Sequence, residues 1–85
     1  MLCSLAIDIG ASGGRHILGA FDGDKITLEE IYRFENNVVT RENDTIWDIE
    51  YLFGEIIKGL KECKAKGKIP STMAIDTWGV DYALL

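Results

Sequence analysis

Asp8, Ser12 and Arg15 are the residues near the start of this chain whose types and spacing could do chemistry. They flank and punctuate a turn of small residues, Gly10-Ala11-Ser12-Gly13-Gly14. Before the turn, Leu5, Ile7 and Ile9 alternate with Ala6, Asp8 and Gly10, the period of a strand. A carboxylate among apolar neighbours is costly unless it has a partner or reaches solvent. Asp8 is therefore expected at a strand end, pointing into a cleft. Gly10, Gly13 and Gly14 allow backbone angles that other residues resist and let a ligand approach the chain. Ser12 adds a hydroxyl, and successive N–H groups in such a turn can form an anion-binding nest. Arg15 adds a fixed cation able to grip phosphate with two prongs. An acidic strand end followed by a phosphate-sized glycine turn suggests a metal–nucleotide site. The bland alternative is an ordinary tight hairpin with an exposed aspartate.

A second stretch repeats the pattern. Met73-Ala74-Ile75-Asp76-Thr77-Trp78-Gly79 echoes Leu5-Ala6-Ile7-Asp8-Ile9-Gly10: an apolar strand carrying one aspartate, then a glycine. If a helix crosses between them, the two strands can be parallel neighbours. Their aspartates then lie near the carboxyl ends, beside the crevice where open α/β sheets bind ligands. The alternative is that Asp76 caps a turn and Trp78 fills core.

The elements that must position these residues follow in order. Residues 4–10 read as the first strand. Residues 15–21 are short for a helix and suit a second, which Asp22-Gly23-Asp24 ends with a strong turn signal. Residues 25–34 read as a third, with Ile26, Leu28 and Glu30 on one side and Thr27, Glu29 and Ile31 on the other. Residues 4–34 thus predict a three-stranded antiparallel meander. His16, the one histidine, is expected on a sheet face without a chemical duty. Residues 35–46 read as a polar connection near the upper length for loops in compact domains.

One helix is clear. Ile49, Leu52, Phe53, Ile56, Ile57, Leu60 and Cys63 recur at helical spacing and predict a core-facing stripe. Asp48 suits the N-cap, and Trp47 before it could staple onto Leu52. Lys61, Lys64 and Lys66 gather near the end, where the helix dipole favours cations. Gly67 is placed to terminate the helix, and Pro70 prevents its resumption.

Composition sets bounds. The 85 residues are 47% hydrophobic and 27% charged, a globular balance, with room for one small domain. The net charge of −5, without a basic run, argues against a nucleic-acid-binding surface. No apolar run approaches the roughly 18 residues needed to span a membrane, and no signal peptide is visible. Cys3 and Cys63 lack metal or redox spacing and read as reduced, buried thiols. A cytoplasmic location is expected. Tyr82-Ala83-Leu84-Leu85 reads as the start of another apolar strand, so the chain is expected to be the front piece of a longer protein.

The run from Ala6 to Arg15 resembles the first phosphate motif of the superfamily of sugar kinases, heat-shock chaperones and actin. Arg15, Ile31-Tyr32-Arg33-Phe34, Trp47-Asp48 and Ile75-Asp76-Thr77-Trp78-Gly79-Val80-Asp81-Tyr82 narrow the likeness. Together they resemble the rhamnulokinase family of FGGY carbohydrate kinases, in order and spacing over essentially the whole chain. One departure is Gly13, where the family pattern carries a second serine; the turn loses a hydroxyl and gains flexibility.

That resemblance implies an α/β, ribonuclease-H-like (actin-like ATPase) partial domain: a β-meander, a helix, then a strand parallel to the first. Residues 1–85 would be the front of the kinase's N-terminal domain. It implies transfer of the γ-phosphoryl group of ATP to the 1-hydroxyl of L-rhamnulose, with Mg2+. Gly10, Ala11, Ser12, Gly13, Gly14 and Arg15 would meet the ATP phosphates, and Asp8 would hold magnesium through water. Gly79 falls where the family approaches its sugar, and Trp78 and Asp81 are weaker candidates for that pocket. The catalytic aspartate base, the adenine site and the second lobe lie beyond residue 85, so the piece is expected to be inactive alone. A kinase for another ketose or polyol is an alternative. A dinucleotide or P-loop module is disfavoured, since neither GxGxxG nor GxxxxGK[ST] occurs. A non-catalytic interaction fragment, self-associating through open strand edges, is the remaining class.

Overall fold

The computed structural model describes residues 2–79. Among them lie β1 (Leu2–Ile9), β2 (Gly13–Phe21), β3 (Ile26–Glu35), β4 (Val38–Arg41), β5 (Asp44–Trp47), α1 (Ile49–Ala65) and β6 (Thr72–Asp76). Strands β3-β2-β1-β6 form one sheet in that order. β1 is antiparallel to β2 and parallel to β6, and β2 is antiparallel to β3. The expected meander and the parallel return are both present, the latter allowed by the α1 crossover. The chain is α/β, as expected.

Period-2 alternation sorts the sheet into two faces. Leu5, Ile7 and Ile9 of β1 are buried with Leu18 of β2 and Ile31 and Phe34 of β3, beneath α1. Each such side chain contributes about 1.5–3 kcal/mol when fully buried. Ser4, Ala6 and Asp8 lie on the other, open face. There Ser4 Oγ and Thr72 Oγ1 are 2.7 Å apart, pinning the β1–β6 register. At the far end of β2, Asp22 Oδ1 accepts from the N–H groups of Asp24 and Lys25, both at 2.9 Å, and Gly23 is left-handed at φ 96°. Those two donors hold the Asp22 carboxyl below its ordinary range.

β3 carries the one irregularity in the sheet. His16 pairs with Tyr32 but Ile17 pairs with Glu30, so Ile31 is an extra residue, a β-bulge. Strict alternation from Ile26, Leu28 and Glu30 would send Tyr32 to the open face. The bulge instead turns Tyr32 and Phe34 toward the helix and Arg33 and Glu35 outward.

Residues 35–46 are not a simple polar connection. β4 and β5 form a two-stranded hairpin, Val38↔Trp47 to Arg41↔Asp44. Its two central residues, Glu42 and Asn43, are both left-handed (φ 52° and 69°). This is the geometry of a two-residue hairpin turn, ordinarily signalled by Asn-Gly or Asp-Gly. Glutamate at its first position hides the signal.

The helix ends are capped as expected. Asp48 Oδ1 accepts from the Tyr51 N–H at 3.0 Å, while Oδ2 pairs with Arg41 at 3.0 Å, tying the hairpin to the helix start. At the other end Gly67 is left-handed (φ 70°). Its N–H donates to Lys64 O, and the Lys68 N–H to Cys63 O at 2.9 Å, a Schellman closure. Cys63 is buried, Cys3 is half-buried, and both thiols are free.

The buried face of α1 differs from the expected stripe. Leu52, Glu55, Gly59 and Cys63 are buried, with Ile56 and Leu60 packed beside them. Ile49 and Phe53 are 68% and 63% exposed. The cause is the sheet's own polar content. His16, fully buried on β2, needs space and a partner. Gly59 provides the space: a Cβ there would sit 2.1 Å from the imidazole. Its Nε2 lies 3.3 Å from the Ile56 carbonyl, and its ring packs edge-on to Tyr32 and Phe34. The Tyr32 hydroxyl donates to Glu55, which raises the phenol to about 12. Glu55 and Gly59 therefore face the sheet despite their types, and the helix is rotated to accommodate them.

Two neighbouring glycines of α1 should respond oppositely to alanine. Gly59→Ala forces the buried imidazole to move and should destabilise the chain by about 1–3 kcal/mol. Nothing lies within 4 Å of a Cβ at Gly54. Gly54→Ala should stabilise by about 1 kcal/mol through helix propensity alone. Denaturant unfolding of both variants measures the contrast.

Burial lowers the His16 pKa below its ordinary 6.5, opposed in part by the Ile56 carbonyl and Glu55. The unfolded chain then takes up a proton near pH 6.5 that the folded chain refuses. Stability should lose its His16 contribution as pH falls below that value toward the folded pKa. Unfolding midpoints of wild type and His16→Gln between pH 7.5 and 5.5 should show a steeper decline in wild type.

Candidate functional site

The turn joining β1 to β2 is closed by a short bond from the Gly10 N–H to the Gly13 carbonyl, 2.7 Å. Ala11 and Ser12 form its exposed tip, and among the described residues their N–H groups donate no hydrogen bond. The tip is fastened from β3. The Asn36 N–H donates to Ser12 O at 3.2 Å, and Asn36 Nδ2 to Gly10 O at 3.0 Å. Asn36 itself is 1% exposed. Sequence reasoning missed it, because asparagine after a strand reads as an ordinary turn residue.

The glycines serve close approach, not unusual backbone angles. The left-handed glycines among the described residues are Gly23 and Gly67, away from this turn. A Cβ on Gly14 would meet the Phe34 ring at 2.2 Å, and one on Gly13 the Phe34 carbonyl at 3.0 Å. Glycine here lets β2 lie against β3 and the Phe34 ring. The conformational reason expected from sequence is thus replaced by a steric one.

Asp8 and Arg15 are cross-strand partners. Arg15 Nη2 donates to Asp8 Oδ2 at 3.3 Å, with the side chains 46% and 50% exposed. A pair this open is worth roughly 0–1 kcal/mol. Either partner can therefore exchange it for a stronger ligand at little cost. Asp8 also stands in register with Asp76 on β6, and Arg15 with Arg33 on β3. The open face thus carries a row across four strands, Asp76, Asp8, Arg15, Arg33, acidic on one side and basic on the other. Beside it is a cavity of about 710 Å³ lined by Ser12, Gly13, Gly14, Arg15, Arg33, Phe34 and Glu35. Arg33 went unassigned in the sequence reading, since alternation without the bulge turns it inward.

The acidic side suits a hard cation. Among the described residues no three His, Cys, Asp or Glu side chains gather into a metal cluster. Magnesium, however, commonly takes one or two carboxylates and keeps several waters, and Asp8 with its neighbour Asp76 matches that donor set. The basic side and the free N–H groups of Ala11 and Ser12 suit phosphate oxygens.

The remaining candidates lie beyond β6. Trp78 is half-buried, packs beside the core, and meets Trp47 at a tilt of 49° with ring centroids 4.5 Å apart. Trp78 thereby links the β4–β5 hairpin to the end of the sheet. A Cβ on Gly79 would meet nothing within 4 Å. Both come within three residues after Asp76, at the sheet end that also carries Asp8, and neither lines the cavity of the glycine turn. Asp81 lies outside the described residues.

No family model matches the chain. Curated relatives do. A rhamnulokinase of Halalkalibacterium halodurans is 51% identical over 82 residues, 96% of this chain and 17% of the relative. That of Oceanobacillus iheyensis is 45% identical over 83 residues, 98% of this chain and 18% of the relative. That of Bacillus subtilis is 44% identical over 80 residues, 94% of this chain and 16% of the relative. The chain spans about a sixth of the length of these curated relatives (17% for the first). With such identity along nearly its whole length, the chain belongs to the rhamnulokinase family.

Proposed function

We propose that this chain is the front part of the N-terminal domain of an FGGY-type, ribonuclease-H-like sugar kinase. The whole protein transfers the γ-phosphoryl group of ATP to the 1-hydroxyl of L-rhamnulose. The observation that carries this reading is the exposed Asp8–Arg15 pair beside the glycine turn, 3.3 Å apart. Its two charges are arranged as the complement of a metal-bound phosphate: carboxylate for cation, guanidinium for anion. The similarity to rhamnulokinases supports the choice of sugar.

Phosphoryl transfer is mainly positioning and charge neutralisation. In this reading Gly10, Gly13 and Gly14 keep the turn narrow, and Ala11 and Ser12 present their N–H groups to the phosphates. Arg15 would turn from Asp8 to a phosphate oxygen, and Asp8, so released, would be the carboxylate that holds the cation. Magnesium, when bound there, neutralises charge on the phosphates. Gly79, open on the side where a Cβ would stand, leaves room for the sugar, with Trp78 and Asp81 shaping its pocket. The general base that deprotonates the sugar hydroxyl belongs to a later part of the kinase. A cytoplasmic protein suits the free thiols, and no described helix is long and apolar enough to cross a membrane.

The full-length protein, assayed with Mg-ATP against a sugar panel, should phosphorylate L-rhamnulose. Asp8→Ala should lower kcat/KM by about ten- to a hundredfold, the scale of losing a group that orients a bound metal. Turnover of a different ketose or polyol would keep the site and overturn the substrate. The 85-residue piece should show no turnover above background.

A further inference from the structure

Arg33 is a charged residue of the open face that the functional reading leaves without a task, and three observations give it one. First, the bulge at Ile31 turns it outward and sets it directly opposite Arg15 across β2 and β3. Like charges directly opposed on neighbouring strands repel. The chain has three arginines and a net charge of −5, yet two of the three meet at this register position. Second, both line the cavity that opens on Ser12 and Gly13, where they outweigh the single carboxylate of Glu35. Third, Arg33 is only loosely committed. Its Nε and Nη2 both reach one oxygen of Glu30, Oε1, at 3.1 and 2.7 Å, and the side chain is 66% exposed. One carboxylate oxygen leaves most of the guanidinium fork unused.

We propose that Arg33 is a second phosphate-binding residue. It reaches across from β3 so that the polyphosphate tail of the nucleotide held at the Ala11–Arg15 turn lies between two guanidiniums. This rests on the kinase reading above. A polyphosphate carries several negative charges and resolves the repulsion that the Arg15–Arg33 register imposes. Arg15 would then serve the phosphate nearest Asp8, and Arg33 a phosphate further along the cavity. Glu30 acts as a resting partner that keeps Arg33 extended along the open face.

The test uses the full-length enzyme with Arg33→Met, Arg33→Lys and, as a control, Glu30→Gln. Steady-state kinetics give KM for Mg-ATP and for the sugar, and calorimetry gives the affinity for inorganic tripolyphosphate. Arg33→Met should raise the ATP KM and weaken tripolyphosphate binding by about tenfold, the scale of one charge-assisted hydrogen bond. The sugar KM should be unchanged. Arg33→Lys should recover a good part of the loss, because the charge remains. Glu30→Gln should leave ATP binding intact or tighten it. The proposal is overturned if Arg33→Met matches wild type in both nucleotide measurements. It is equally overturned if Glu30→Gln reproduces the defect, since Arg33 would then act only through its ion pair. Should Arg33→Met not fold, the lysine and glutamine variants still decide. Wild-type protein that neither binds tripolyphosphate nor phosphorylates any sugar overturns the kinase reading itself, an outcome distinct from either of these.

Discussion

The site depends on one buried amide. Asn36 reaches from the end of β3 to the turn between β1 and β2, giving its Nδ2 to Gly10 O and its backbone N–H to Ser12 O. A two-residue turn with several glycines around it is otherwise loose, because glycine loses more freedom on ordering than any other residue. The amide orientation is forced. Rotated by half a turn it would set its oxygen against the Gly10 carbonyl, two acceptors facing each other. Its own Oδ1 finds no partner among the described residues, so the buried side chain is committed entirely to holding the turn. With the tip tethered, the N–H groups of Ala11 and Ser12 stay on the outside, where a ligand can use them.

Around that anchor the two faces of the sheet divide the electrostatic work. Under α1 the polar groups pair internally: Tyr32 donates to Glu55, and His16 Nε2 meets the Ile56 carbonyl, while His16 Nδ1 is buried without a partner among the described residues. Removing either partner there would strand a buried group, which costs about 1–3 kcal/mol. On the open face the side chains of the Asp8–Arg15 and Arg33–Glu30 pairs are 42–66% exposed. They contribute little to the fold and are correspondingly cheap to break. A binding site needs charges of the second kind. The same sheet offers both because successive residues of each strand point to opposite faces.

The main elements were legible in the sequence. The meander, the capped helix and the parallel return of β6 beside β1 all follow from period and punctuation, and they bring Asp8 and Asp76 into register as expected. Other features were not legible, each for a physical reason. The β4–β5 hairpin turns on Glu42 and Asn43 in left-handed conformations, and no glycine marks them. The buried face of α1 is set by a tertiary demand, the volume and hydrogen bond of His16, which no helical periodicity encodes. The turn glycines answer to the Phe34 ring and carbonyl, neighbours that only the folded sheet supplies.

The bulge at Ile31 shows why a motif read along the chain can miss half of a site built across it. Alternation is a local rule, and one inserted residue inverts it for everything downstream. Without the insertion Tyr32 would sit on the open face and Arg33 beneath the helix. Tyr32 would lose Glu55, and a guanidinium would be driven into the core in place of the Phe34 ring, at a desolvation cost that no described partner offsets. With it, one irregularity satisfies both faces: the phenol finds its carboxylate below, and the basic side of the charge row is completed above. The chemistry of the open face is therefore a property of sheet register as much as of the glycine turn, and β3 contributes to it without carrying any recognisable phosphate-binding pattern of its own.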